Sequence, residues 1–191
     1  MANGNALTMS FDPNTIQHLG IKMYSTLPAA LAELIANAYD ADATKVCIKI
    51  QDKKDDKYIL VEDDGCGMTL EEINSCFLRI GRNRRNEENR RLTPSGRIAT
   101  GKKGLGKLAL FGIGGTIVVS THKAGETLQL NFSLDWNDIL KCSDTSYHPA
   151  LTTEKAANID KGYTFIKITN LKRKSDFSTK GSAPPRLFFV P

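Results

Sequence analysis

The segment Glu33-Leu-Ile-Ala-Asn37-Ala-Tyr-Asp40-Ala carries three polar side chains at spacings of four and seven residues. The apolar residues around them, among them Leu34 and Ala38, recur at the period of an α-helix, so the segment predicts an amphipathic helix. Residues separated by four or seven positions lie on one face of a helix. Glu33, Asn37 and Asp40 are therefore expected to project in one line, although an ordinary polar stripe on a surface helix has the same pattern.

A second polar segment, Asp63-Asp64-Gly65-Cys66-Gly67-Met68, follows the strand-like Tyr58-Ile-Leu-Val-Glu62. Its carboxylates and glycines therefore fall where a predicted strand ends and a loop begins. Either aspartate could accept a hydrogen bond from an exocyclic amino group such as that of adenine, and the glycines leave room for a flat ring against the backbone. An isolated Asp-Gly turn after a strand has the same composition.

A third segment, Gly101-Lys-Lys-Gly104-Leu-Gly106-Lys107, opens a further helical run. Free backbone N–H groups at the start of a helix can hold phosphate. The segment lacks the Gly-x-x-x-x-Gly-Lys-Ser/Thr pattern of a P-loop, and no early βαβ unit precedes it as a dinucleotide site would require. Taken alone, it could equally be a flexible connector.

Together the three segments contain the groups that ATP hydrolysis needs: charge neutralisation at the phosphates, a positioned water and a general base. Glu33 is the candidate base, because a carboxylate on a rigid helix can hold a water in line with the terminal phosphorus. Asn37 offers a neutral amide oxygen to Mg²⁺, which prefers oxygen ligands. Asp40 could hydrogen-bond a metal-bound water or the water network of the purine pocket.

The order of these segments resembles the ATP-binding domain of the GHKL superfamily, which includes type II topoisomerases, MutL, the heat-shock chaperone clamp, sensor histidine kinases and the MORC proteins. The superfamily's motifs match Glu33-x-x-x-Asn37-x-x-Asp40, Asp63-x-Gly65-x-Gly67 and Gly101-x-x-Gly104-x-Gly106. A fourth motif on a late strand matches Gly162-Tyr-Thr164. Within the superfamily, the chain most resembles the MORC and bacterial MORC-like branch.

The resemblance implies a role for each matching residue. Glu33 takes the position of the general base, and Asn37 that of the Mg²⁺ ligand. Asp63, rather than Asp64, takes the position of the carboxylate that reads the adenine amino group, and Thr164 that of the hydroxyl supporting it through water. The residues expected to contact ATP or its Mg²⁺ are, in chain order, Asn37, Asp40, Asp63, Gly65, Gly67, Met68, Gly101, Lys103, Gly104, Leu105, Gly106, Lys107 and Thr164.

The implied fold is a two-layer α/β sandwich, in which helices cover one face of a mixed, mostly antiparallel sheet (the Bergerat ATP-binding fold). We expect a disordered arm at 1–11, the ATP-binding domain at 12–171 with a mobile lid at about 81–106, and a tail or following segment at 172–191. Periodicity predicts helices from about 28, 70, 107 and 136, strands at 46–50, 58–62, 116–121, 127–134 and 163–168, and an irregular connection over 142–160.

The net charge of +5 is unevenly distributed along the chain. The segment from Arg79 to Lys107 contains ten Lys or Arg and two Glu, a net +8, so the remainder carries −3. This basic flap lies between the acidic loop and the end of the glycine segment. It could close on a triphosphate, contact DNA or remain a solvated loop.

The composition is that of an ordinary globular protein, with 40% hydrophobic and 25% charged residues. No run of eighteen apolar residues or signal peptide is visible, so a cytoplasmic protein with no membrane partner is expected. The four cysteines form no CxxC pair, which argues against both a zinc site and a disulfide framework.

The leading functional hypothesis is a nucleotide-gated clamp in which ATP orders the lid, a homodimer forms and hydrolysis releases it. In a larger MORC-like protein, such a domain would drive DNA handling. The resemblance also implies that a following domain completes the site, so the isolated chain is expected to bind ATP more reliably than it hydrolyses it. Two alternatives are a phosphotransferase of the histidine-kinase type and an ATP-sensing module without significant turnover.

Overall fold

A computed structural model of the chain describes residues 7–10, 27–53, 56–79, 92–100, 106–141, 146–172 and 186–189. Its strands are β1 (Met9–Ser10), β2 (Val46–Lys53), β3 (Asp56–Asp63), β4 (Gly114–His122), β5 (Leu128–Asp135), β6 (Ser146–Tyr147), β7 (Leu151–Lys155), β8 (Tyr163–Leu171) and β9 (Arg186–Phe189). Its helices are α1 (Leu27–Asp40), α2 (Leu70–Glu72) continued by a π-helical turn (Ile73–Phe77), α3 (Gly106–Ile113) and α4 (Trp136–Lys141). None of the described helices combines the length and hydropathy needed to cross a bilayer.

Seven of the strands form one sheet in the order β7-β5-β4-β8-β3-β2-β9. Every described pairing in it is antiparallel. The predicted α/β fold with a mostly antiparallel sheet is confirmed. The order also places β8, which comes late in the chain, between β3 and β4 at the centre of the sheet. The late Thr164 motif thereby becomes a neighbour of the early Asp63 motif.

One face of this sheet is buried beneath the helices. Alternate residues of the central strands, including Ile48, Val61 and Ile168, lie in a single apolar core. Leu34 and Ala38 of α1 pack into the same core, because residues four apart share one side of a helix. The opposite positions on the strands, which alternate with these, form the outer face of the sheet.

The segment after β3 begins as the sequence predicts but changes its geometry within one turn. Thr69 caps α2 by accepting a hydrogen bond from the backbone N–H of Glu72, whose side chain accepts from the Thr69 N–H. This reciprocal capping box satisfies two N–H groups that a helix start leaves free. After three α-helical residues the chain forms the π-helical turn, in which Ile73 is buried.

The N-terminal residues are not entirely a disordered arm, contrary to the prediction for 1–11. Leu7 and Met9 are 1% and 3% exposed and belong to the core. Met9–Ser10 pairs with Ser146–Tyr147, and the N–H of Thr8 donates to the side-chain oxygen of Asn74 at 2.8 Å. Two alternating apolar side chains are too short a pattern to reveal this, because their partners lie far away along the chain.

Two later segments also differ from their predictions. The expected irregular connection over 142–160 contains β7, which extends the sheet beyond β5. The predicted tail contains β9, which pairs with the Val46–Lys49 half of β2. Both are edge strands, whose pairing depends on a sheet built by other segments and therefore leaves little local signal.

Residues 92–100, which lie within the predicted mobile lid at about 81–106, are anchored to the rest of the protein. Residues 92–100 are held to the end of α1 by hydrogen bonds, and Thr93 is buried. Leu92 and Ile98 form an isolated β-bridge with both side chains exposed. Polar contacts thus provide the anchorage that apolar contacts do not.

Because Leu7 lies in the core, we expect Leu7→Ala to lower the free energy of unfolding by about 2–5 kcal/mol, as for other buried leucines. Leu140→Ala is the matched control, since Leu140 is 55% exposed and its loss is expected to change stability by less than about 0.5 kcal/mol. Chemical denaturation of the two variants measures both values. Equal stability of the two variants would instead support the prediction of a disordered arm at 1–11.

Candidate functional site

The two aspartates at the end of β3 have different structural roles. Asp64 is held in place by three hydrogen bonds, accepting from the N–H and hydroxyl of Thr44 at 2.8 and 2.7 Å and from the N–H of Lys45 at 2.7 Å. Partial burial alone would raise the pKa of Asp64, but these hydrogen bonds outweigh it and hold the pKa below its usual value. Asp64 therefore fixes the loop between α1 and β2 to the end of β3.

Asp63 lies in the opposite electrostatic situation. Burial raises its pKa to about 6, and the neighbouring negative charge of Asp64 adds to the effect. One hydrogen bond opposes the shift, donated by the N–H of Gly65 to Oδ1 at 3.0 Å. Asp63 alternates with the buried Ile59 and Val61, so it belongs to the face of β3 that the helices cover.

A chain of hydroxyl groups lies beside Asp63 on the same face of the sheet. Thr164 of β8 is the direct cross-strand partner of Asp63 and is buried. Its hydroxyl lies 3.2 Å from that of Thr121 on β4, which also accepts from the N–H of Met68 at 3.1 Å. Thr121 was not identified from the sequence, since a threonine in a predicted strand carries no distinguishing signal.

The glycines of the loop after β3 allow the backbones of four segments to meet. A Cβ on Gly67 would lie 1.7 Å from the carbonyl oxygen of His122, and its φ of +64° is a conformation that other residues rarely adopt. A Cβ on Gly65 would lie 2.8 Å from the carbonyl oxygen of Ala41, just beyond α1. Gly162, before β8, packs equally closely against the carbonyl group of Cys66.

Helix α1 presents the predicted base and metal ligand. Glu33 and Asn37 are both partly exposed and lie one turn apart. Among the described residues, no side chain or backbone group is hydrogen-bonded to the Glu33 carboxylate or the Asn37 amide. Their polar atoms are thus available to a ligand.

Asp40, the third polar residue of this helix, contacts the protein itself. Its Oδ1 accepts hydrogen bonds from the N–H and the hydroxyl of Thr100, at 2.7 and 3.0 Å. Thr100 directly precedes the glycine segment 101–106. The Asp40 side chain therefore ties the start of that segment to the C-terminal end of α1.

Asp42 reinforces this connection and was not singled out from the sequence. It accepts hydrogen bonds from the hydroxyls of Thr93 and Ser95 and, at 3.0 Å, from the N–H of Ser95. Arg97 lies 4.0 Å from its carboxylate and donates to the carbonyl oxygen of Ala43 at 2.7 Å. Desolvation would raise the pKa of Asp42, but the hydrogen bonds and Arg97 lower it below its usual value.

The remaining predicted site residues belong to the glycine segment. Gly106 is the first residue of α3, which packs against α1. Gly101, Lys103, Gly104 and Leu105 lie outside the described residues, as does the side chain of Lys107.

The structure brings three of the four sequence motifs together. The end of α1 contacts the Gly65–Met68 loop through the Cys66 N–H, which donates to the Ala41 carbonyl oxygen at 2.8 Å. The same loop contacts β4 through Met68 and packs against Gly162. Within the described ranges, no three His, Cys, Asp or Glu side chains form a metal-binding group.

Comparison with known proteins agrees with this arrangement. The family described as "Histidine kinase-, DNA gyrase B-, and HSP90-like ATPase" matches residues 24–167. A putative type II restriction enzyme, HgiDII from Herpetosiphon aurantiacus, is 37% identical over 161 residues, which is 83% of this chain and 25% of that relative. The matched region thus spans about a quarter of the relative's length. The chain belongs to the family of histidine kinase-, DNA gyrase B- and HSP90-like ATPases.

Proposed function

We propose that this chain binds ATP between α1 and the Gly65–Met68 loop and hydrolyses it in a Mg²⁺-dependent reaction. The observation that carries the proposal is the environment of Asp63. Its carboxyl group is largely buried on the helix-covered face, accepts a hydrogen bond from the Gly65 N–H and has a pKa raised to about 6. A buried carboxylate needs hydrogen-bond donors, and an adenine amino group is such a donor.

The surroundings of Asp63 support adenine as the group that is bound. Gly65 and Gly67 let the loop pack closely against Ala41 and His122, which holds the loop beside Asp63. The hydroxyls of Thr164 and Thr121 offer further polar atoms on the same face. Asp64 is already saturated by Thr44 and Lys45, which favours Asp63 as the residue that reads the base.

For hydrolysis, Glu33 would accept a proton from the water that attacks the terminal phosphorus. Asn37 would hold Mg²⁺ through its amide oxygen, and the ion, when bound, would neutralise charge on the phosphates. One amide fits Mg²⁺ chemistry, since this ion takes few protein ligands beside phosphates and water. The N–H groups of the glycine segment before α3 would hold the phosphates themselves.

We further propose that ATP binding drives formation of a homodimer, with the segment 81–106 as a mobile lid. The hydrogen bonds of Thr100 with Asp40 support a link between the lid and the helix that carries the base. The resemblance to MORC-like proteins and the restriction-enzyme relative both favour DNA handling by a larger protein as the work driven by this cycle. Lid closure and dimerisation would then report the nucleotide state to that protein.

The two histidines that the structure describes give little support to the phosphotransferase alternative, and His18 lies outside the described residues. His122 is completely buried, and its ring nitrogens lie 2.8 and 2.9 Å from the carbonyl oxygens of Lys161 and Glu126. A phosphoacceptor needs an accessible ring nitrogen. His148 is exposed but lies in the loop after β6, where its Nδ1 is 3.1 Å from the Leu7 carbonyl oxygen.

The adenine assignment predicts opposite effects for the two aspartates. Asp63→Asn should weaken ATP binding about tenfold or more, because it replaces a charged acceptor with an amide. Asp64→Asn, the matched control, should lower stability and leave ATP affinity within a few-fold of the original protein. Isothermal titration calorimetry measures both affinities. Unchanged affinity in Asp63→Asn would refute adenine recognition by this residue.

The pKa of Asp63 predicts how stability and binding depend on pH. Since the folded protein binds this proton more tightly than the unfolded chain, ionisation of Asp63 costs up to about 3 kcal/mol above pH 6, and the cost disappears below pH 4. Asp63→Asn should therefore be more stable than the original protein at pH 7.5 and equal to it at pH 3.5. ATP affinity should fall between pH 6 and 5, and this fall should be smaller in Asp63→Asn, which retains only the titration of ATP.

The proposed base predicts that binding and hydrolysis can be separated. Glu33→Ala should retain ATP affinity but lose hydrolysis by about 10²–10⁴-fold, the usual contribution of a general base. The ATP-bound dimer should then persist longer, as sedimentation velocity would detect. Glu154→Ala on the exposed strand β7 is the control. A Glu33→Ala variant that hydrolyses ATP at the original rate would contradict the assignment.

A further inference from the structure

The outer face of the sheet, on the side away from the helices, contains a cavity of about 570 Å³. Its floor is formed by outward-facing residues of four strands, namely Cys47, Leu60, Phe165 and Phe188. The strand pairing places Phe188, Cys47, Glu62 and Phe165 side by side in one row across the sheet. Asp63 and Asp64 also line the cavity where β3 ends, so the cavity reaches the edge of the proposed ATP pocket there. Its floor faces away from that pocket, because neighbouring residues on a strand face opposite sides.

Three lysines line this cavity, and a fourth, Lys167, lies beside it on the same face of the sheet. Lys45 and Lys161 lie at the end of the cavity near Asp64, and Lys49 lies further along β2. Lys49 pairs with Leu60, which pairs with Lys167 on the next strand. At usual strand spacings, Lys45 and Lys49 are about 13 Å apart along the strand, and Lys49 and Lys167 are about 10 Å apart across it.

Aromatic rings hold three of these lysines. The Lys45 ammonium lies 5.1 Å from the centre of the Phe188 ring, and those of Lys49 and Lys167 lie 5.4 and 4.4 Å from the centre of the Tyr58 ring. Such contacts position a cation without neutralising it. None of the four lysines has a carboxylate partner among the described residues. The four lysines therefore keep their positive charge.

We propose that this lysine-framed groove binds single-stranded nucleic acid. Its phosphates would contact the four lysines, and its bases would lie on the floor around Phe165. Single strands bind proteins through this combination of a cationic groove and aromatic side chains. A flat sheet face also suits bases that have left the duplex, since each has a planar surface to stack.

The position of Glu62 favours nucleic acid over other anions. Its carboxylate lies in the middle of the floor, within the frame of lysines, and has no ion-pair or hydrogen-bond partner among the described residues. An acidic peptide or an anionic lipid would bring negative charge or hydrocarbon to this position. A nucleobase instead offers an exocyclic amino group, which can donate a hydrogen bond to a glutamate. A nucleotide strand can satisfy both requirements, because its phosphates would lie at the edges of the cavity near the lysines and the amino groups of its bases at the centre near Glu62.

The test measures binding of a fluorescent single-stranded DNA of about twelve nucleotides over a range of salt concentrations. The double variant Lys49→Gln/Lys167→Gln is expected to weaken binding and to reduce the slope of log affinity against log salt by about 1.4, or 0.7 per lost phosphate contact. The matched control, Lys141→Gln/Lys155→Gln, removes the same charge from exposed positions on α4 and β7 and should keep the original slope. Phe165→Leu should lower affinity by about five- to a hundredfold through lost stacking.

Two control measurements are made on each variant. An unchanged thermal unfolding temperature shows that the variant is folded, and an unchanged ATP affinity shows that the proposed ATP site is intact. Three results would overturn the proposal of nucleic-acid binding. The first is an original protein that binds no single strand at low salt. The second is equal affinity of the two lysine double variants for the single strand. The same conclusion would follow if binding were lost only in Arg84→Glu/Arg85→Glu, a variant of the basic flap. The third is tighter binding of polyglutamate or of duplex DNA than of the single strand.

Discussion

The close packing of backbones around the Gly65–Met68 loop is the constraint on which the rest of the site depends. Gly65 lies against the end of α1, and Gly67 lies against the last residue of β4. Gly162 closes the same contact from the start of β8. Protein interiors are close-packed, so an added methyl group at any of these points would move a whole strand or helix. The loop thereby fixes α1, which carries the proposed base, relative to Asp63.

This packing has an electrostatic consequence. It leaves the carboxyl group of Asp63 largely buried on the helix-covered side, and within the described ranges this group accepts one hydrogen bond, from the Gly65 N–H. The pKa of Asp63 is raised because an ionised carboxylate is poorly solvated at this position. Asp64, one residue later, shows that the same chain can satisfy a carboxylate fully when its role is structural. Functional sites commonly retain such unfavourable groups because a ligand supplies the missing interactions.

The sequence predicts the central part of the fold because the relevant signals are local. The helical period around Leu34, the Thr69 capping box and the alternating strands each depend on residues within about ten positions. β1, β7 and β9 were not predicted, since short edge strands gain their stability from partners far away along the chain. The fold of 92–100 was missed for a related reason: Asp42 holds it through hydrogen bonds, and hydrophobic patterns carry no information about them.

The candidate site shows the same division between local and distant information. Motif order led to the proposal of Asp63 and Thr164 as site residues, and the sheet order makes them cross-strand neighbours. Thr121 and Asp42 could not be recognised, because each acquires its role only from contacts across about fifty residues. Asp40 illustrates a third case, since its position was noted but its contact with Thr100 depends on a segment whose path the sequence does not specify.

The alternation of β3 and β8 places the floor of the outer cavity and the Asp63 side chain on opposite faces of the sheet, although the cavity lining reaches Asp63 at the end of β3. On β3, Asp63 faces the helices and Glu62 faces outward; on β8, Thr164 and Phe165 divide in the same way. A substitution at one of these positions therefore removes a group from one face and leaves the other face's side chain in place. Movement of the strands themselves is different, because a displaced strand end carries both side chains with it. If nucleotide binding shifted the end of β3, Glu62 in the lysine-framed groove would therefore move together with Asp63, because the two residues share one strand.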